Sequence, residues 1–128
     1  MTLAFLIAAL AVLPTDRLAM ADRLFNKGRY AEASAEYEAL KGEVSIAADE
    51  LLYRFAECDR VCGRNESAQK RYVELFTRYP TSRHADRARF MHAVGLAGDA
   101  RRRALFALDS DRVAPDIRAA ALYRLGIE

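Results

Sequence analysis

Two cysteines and two histidines are the side chains whose types and spacing come closest to doing chemistry. Cys58 and Cys62 lie four residues apart, so on a helix their thiols share a face. His84 and His92 lie eight apart, about two helical turns, and share a face in the same way. Two thiolates and two imidazoles from adjacent helices would match a tetrahedral zinc site in number. The spacing fits no common zinc pattern, however, and no metal or other cofactor is expected. The favoured reading makes both cysteines small buried fillers. A redox role stays open, although a disulfide at this helical spacing would be strained.

Other reactive constellations are lacking in the sequence. Ser34, Ser45, Ser67, Ser82 and Ser110 lie in no G-x-S-x-G elbow. The 6 glycines are scattered, so no loop cradles a phosphate. Asp109-Ser110-Asp111 is a short acidic turn, without the longer ligand series of a calcium loop. Glu32, Glu36 and Glu38 read as a solvated helix face. The chain is therefore not expected to be an enzyme.

Charge narrows the partners. The net charge is +2 at 30% charged residues, too little to draw nucleic acid or an anionic membrane by itself. From Thr77 onward there are 10 Arg and 6 acidic residues, so that part is basic. An acidic partner would suit Arg83, Arg87, Arg89 and the run Arg101-Arg102-Arg103. No aromatics interleave these arginines to stack bases, so exposed helix faces are the simpler reading and no nucleic-acid partner is expected.

The elements that must position these residues show in a period of 35. Gly28, Gly63 and Gly98 are spaced by it, as are Met20, Phe55, Phe90 and Leu125. Ala21, Ala56, Met91 and Gly126 follow in step, and Pro80 and Pro115 share the interval. Ala33 and Ala68, Tyr37 and Tyr72, and Leu40 and Leu75 complete the pattern. Each period holds two helical stretches. The spacing of Leu51, Leu52, Phe55, Ala56 and Cys58 predicts a helix over 49–62, ended by Gly63. Ala68, Tyr72, Leu75 and Phe76 predict a second helix over 66–78, closed by Pro80, with Ser82 as cap of the next. Short links force antiparallel neighbours. Small residues at 21, 56, 33 and 68 let helices cross closely, and the aromatics fill the space around each crossing. With 52% hydrophobic residues and few Gly or Pro, the fold class is all-α.

These residues resemble the tetratricopeptide repeat, a helical hairpin of about 34 residues. The first repeat carries Met20-Ala21, Gly28, Tyr30, Ala33 and Tyr37, with Ser45 where Pro is usual. The second carries Phe55-Ala56, Gly63, Ala68, Tyr72 and Pro80, with Asn65 in place of the turn Tyr. The third keeps Gly98 and Pro115 but has Arg103 at the small position, which a one-residue shift to Ala104 would restore. The resemblance implies a solenoid of antiparallel helix pairs, about three repeats plus a terminal helix, over 14–128. It also implies a concave groove lined by the first helix of each pair, where a protein or peptide partner binds. In that register the groove residues are Asp22, Phe25 and Asn26, then Tyr53, Glu57 and Arg60. Ala88, His92 and Leu96 follow, and Tyr123 closes the set.

Residues 79–88, with Tyr79-Pro80, Ser82, Ala85 and Ala88, are similar to the repeats of bacterial envelope proteins of the BamD-like and Tol–Pal-associated kind. That likeness implies a scaffold of the cell envelope or periplasm; the alternative is cytoplasmic. Residues 1–13, MTLAFLIAALAVL, are too short to span a membrane. They read as an export signal, or as an apolar helix packed on the body. Two further expectations stand beside the scaffold. One is that the chain is a truncated or capping part of a longer repeat protein. The other is an electrostatic binder of an acidic partner.

Overall fold

The computed structural model describes residues 13–126. Among them are seven helices and no strand: α1 (Pro14–Asn26), α2 (Tyr30–Ala39), α3 (Ala48–Val61), α4 (Asn65–Arg78), α5 (Ala85–Gly95), α6 (Gly98–Phe106) and α7 (Pro115–Arg124). None of these is long and apolar enough to cross a membrane. The expected leader lies outside the described residues apart from Leu13, which is exposed.

Among the described residues, consecutive helices pack against one another from α1 to α7. The first pair is antiparallel. Arg17, near the start of α1, pairs with Glu36 late in α2 at 2.9 Å, while Phe25 at the end of α1 meets Tyr30 at the start of α2. Gly28 and Gly63 make the tight links, with φ of +80° and +79°. A side chain there would be strained by its backbone rather than by crowding, since open space surrounds both positions. Gly98 also has positive φ, at +57°, but α6 begins at Gly98 itself instead of two residues later. The third turn is thus built differently from the first two.

Three buried clusters hold the helices together, each joining three consecutive ones. Ala21, Ala33, Tyr37 and Phe55 tie α1 and α2 to α3. Ala56, Ala68, Tyr72 and Ala88 tie α3 and α4 to α5. Phe90, Ala93, Leu105 and Ile117 tie α5 and α6 to α7. Ala21, Ala33 and Ala56 are fully buried where the helices approach closely. Arg103 is exposed and Ala104 packs on the third cluster, as the one-residue shift requires.

Two positions depart from their counterparts one period away, and two expectations need correction. Met20 is 41% exposed although Phe55 and Phe90, its counterparts, are buried. Phe55 leans on Tyr37 of the preceding helix, and no described helix precedes α1. Pro115 does not close α6, which ends at Phe106, but opens α7 at its first position. A fixed φ and a missing N–H suit proline to that place. The Ser82 hydroxyl accepts the N–H of His84, one residue before α5, and caps a turn rather than the helix. Cys58 is buried but Cys62 is exposed, because it sits past the last turn of α3, beside the Gly63 link.

Candidate functional site

A cavity of about 340 Å³ opens between α1, α3 and the segment leading into α5. Phe25 and Asn26 reach it from the last turn of α1, and Tyr53 and Glu57 from one face of α3. With Asp22, these are five of the ten expected groove residues. Asp22, Glu50, Arg54, Arg83 and His84 complete its charged wall.

One arginine organises that wall. Arg54 donates to both oxygens of Asp22, from Nε at 2.8 Å and Nη2 at 3.1 Å. Its Nη1 donates to Glu50 Oε2 at 2.8 Å. Burial works against the Arg54 charge, but the two carboxylates outweigh it and hold its pKa above the usual arginine range. Glu50 also accepts from Arg83 Nε at 2.6 Å. The Arg83 bond, opposed by partial burial and helped by His84 and Arg54, holds the Glu50 carboxyl at about 2. His84 Nε2 lies 2.9 Å from Glu50 Oε2, but its N–H is not aimed for a hydrogen bond. The imidazole lies flat on Tyr53 instead, 4.2 Å between centroids and 5° from parallel.

A tyrosine–carboxylate bond recurs at the sequence period. Tyr37 OH donates to Asp22 Oδ1 at 2.5 Å, and Tyr72 OH donates to Glu57 Oε1 at 2.7 Å. Burial first, and then the bonded carboxylate, push both phenols well above the ordinary tyrosine range. In the third period the same two positions hold His92 and Ala107, so the bond has no counterpart there. Arg60 closes over Glu57, Nη2 to Oε2 at 2.7 Å. Tyr53 has its pKa raised, by burial before the nearby Glu57 charge, and its hydroxyl accepts from Arg87 Nε at 2.9 Å.

Charge in this cavity is therefore internally matched. Asp22, Glu50 and Glu57 each bond to at least one arginine of the chain itself. Among the described residues no side chain hydrogen-bonds the Asn26 amide, which is exposed beside the Phe25 ring. The surface offered to a visitor includes the Asn26 amide, the Phe25 ring and the face of Tyr53 that His84 does not cover.

The remaining expected site residues go elsewhere. His92 turns toward α4, with Nδ1 bonded to Gln69 Oε1 and its ring tilted against Phe76. Burial lowers its pKa. It lines a second cavity, between α4, α5 and α6. Tyr123 is 81% exposed on α7 and lines neither cavity. Ala88 is buried in the second cluster, and Leu96 lies just past α5. The two histidines thus part company: His84 precedes the helix that carries His92. Among the described residues no three His, Cys, Asp or Glu side chains gather as metal ligands. Burial pushes the Cys58 thiol up to about 11, so it is a poor nucleophile.

Three functional or structural groups escaped the sequence reading. Asp59, 5% exposed, is held by Arg64 at 2.9 Å and Arg71 at 2.8 Å. Arg54 and Glu50 build the cavity wall. The acidic turn Asp109-Ser110-Asp111 is clamped by Arg118, which bonds both aspartates at 2.8 Å. The tyrosine–carboxylate bond was missed as well, although it left a signal: Asp22 and Glu57 each stand 15 residues before a tyrosine, one period apart. No protein-family model matches the chain, and no curated protein does so either.

Proposed function

We propose that the chain is a non-catalytic binding scaffold of the tetratricopeptide kind, which takes an extended segment of a partner protein against Phe25, Asn26 and Tyr53. The observation that carries this reading is the cavity wall. Every carboxylate in it is already bonded to an arginine, while the Asn26 amide and the Phe25 and Tyr53 rings are left to a partner. A neutral main chain bearing apolar side chains suits such a surface; a highly charged partner would have to displace pairs already made. Aromatic side chains are also the usual anchors of interfaces. The repeat assignment is supported by the tyrosine–carboxylate bond recurring after 35 residues. The place proposed for it is the bacterial envelope, on the likeness of residues 79–88 alone.

The test is affinity capture with the full chain. Phe25→Ala combined with Tyr53→Ala should remove the captured partner while circular dichroism stays unchanged. Retained capture by a folded double variant would refute the assignment. The second reading, an electrostatic binder of an acidic partner, rests on Arg101, Arg102 and Arg103, none of which pairs with a carboxylate among the described residues. Capture that falls steeply with salt and survives the double variant would favour it.

A further inference from the structure

The second cavity carries chemistry that the groove does not. It measures about 660 Å³ and lies between the end of α4, α5, α6 and the link to α7. Its floor is apolar, from Phe76, Ala104, Ala107, Leu108 and Val113. Its rim is polar and rich in donors. Asp86 is the one carboxylate in the wall among the described residues, and both of its oxygens are engaged. Oδ1 accepts from Arg89 Nη1 at 3.0 Å and Oδ2 from the Ala114 N–H at 2.9 Å. Ser82 is likewise occupied, donating to Asp49 at 2.6 Å.

What remains unused on the rim is mostly able to donate. The Arg112 guanidinium has no carboxylate partner among the described residues, and its backbone N–H is capped by Ser110 Oγ at 3.2 Å. Arg89 spends one nitrogen on Asp86 and rests over the Phe76 ring at 5.5 Å, leaving further N–H groups free. The Thr81 hydroxyl lies on the same rim. Two guanidinium groups against one satisfied carboxylate leave a net positive mouth above an apolar floor. A guanidinium binds a planar carboxylate through paired N–H donors.

From this juxtaposition we infer that the cavity is a binding site for a carboxylate carried on an apolar or aromatic body, with Arg112 and Arg89 as its anion clamp. The apolar body lies on Phe76, Leu108 and Val113, and the carboxylate meets the rim. Two sources share this chemistry: a free small organic acid, and the C-terminal carboxylate of a chain ending in an apolar residue. The site is independent of the groove formed by Phe25 and Tyr53.

The experiment is a titration of the full chain, followed by amide shifts of Ala104, Ala107 and Val113. The probes are phenylacetate, phenylacetamide, and a short peptide ending in phenylalanine as free acid or as amide. The two acids should shift these amides and the two amide probes should not. A peptide acid binding about tenfold tighter than phenylacetate assigns the site to a chain terminus; equal or weaker binding assigns it to a small acid. Arg112→Gln should weaken the acids by about tenfold or more, as expected for loss of a charge-assisted bond. Ala107→Phe, at an exposed position on the cavity wall, should put a ring into the cavity and abolish the shifts of Ala104 and Val113 with helicity kept. Acids and amides shifting the signals alike, or acid binding unchanged in either folded variant, would overturn the proposal.

Discussion

Arg54→Met removes the side chain that hydrogen-bonds α3 to α1 across the cavity, while keeping most of its apolar stem. Three side-chain hydrogen bonds go with it, two to Asp22 and one to Glu50, together with a longer one of 3.4 Å to the Glu50 carbonyl. The side chains are 24%, 34% and 21% exposed, so water and salt screen the loss only in part. Tyr37 still donates to Asp22, and Arg83 to Glu50, so neither carboxylate is stranded. A net loss of about 2–4 kcal/mol follows, at roughly 1.5–3 kcal/mol for a charged hydrogen bond, discounted for exposure and for the surviving partners. For a domain of this size that lowers Tm by roughly 6–16 °C. Thermal unfolding followed by circular dichroism measures it. A double-mutant cycle with Asp22→Asn should show a coupling of about 1 kcal/mol or more. A Tm within 2 °C of the parent, or additive single effects, would refute the claim that Arg54 joins the two hairpins.

Further outcomes follow from the same geometry. Tyr37→Phe and Tyr72→Phe each remove the bond repeated at the period, and each should cost about 1.5–3 kcal/mol in urea unfolding; a large cost for one and none for the other would break the equivalence. Glu50 is held at about 2, below its ordinary value of 4.5. The unfolded chain therefore takes up its proton first on acidification. Its contribution to stability is complete above about pH 4.5 and is lost as pH falls from there through about 2. Glu50→Gln should flatten that part of the stability–pH curve, and an unchanged curve would count against the pairing. Thiol titration of the reduced native protein should find Cys62 fast and Cys58 slow, with Cys58 reacting as fast as Cys62 only after unfolding; two fast thiols in the native protein would contradict the burial of Cys58.

The hairpins were legible in the sequence because packing repeats side-chain size. Ala33 and Ala68 are small where helices cross, Tyr37 and Tyr72 are large beside them, and all four are buried. Features that depend on direction rather than size were harder to read. A proline marks a boundary without saying which side of it is helical, so Pro80 follows α4 while Pro115 begins α7. Helical-face logic stops at the last turn, which is why Cys58 is buried and Cys62 is not. Groove register counts residues, but a groove needs a neighbour on each side. Tyr53 has α1 and α5 beside its helix and enters the cavity; Tyr123 lies on α7, with no described helix beyond it, and stays open. His92 occupies the register of Asp22 and Glu57, yet the third hairpin has Ala107 where the others have tyrosine. Lacking that hydroxyl, the imidazole bonds Gln69 of α4 instead.

We propose above that a partner segment lies against the Phe25–Asn26–Tyr53 surface. A photo-crosslinking residue in place of Asn26, with a second at exposed Glu38 on α2 as control, tests it most directly. A crosslinked partner protein is expected from position 26 and none from position 38, with the crosslink lost on Tyr53→Ala. Equal crosslinking from both positions, or from position 38 alone, would contradict it.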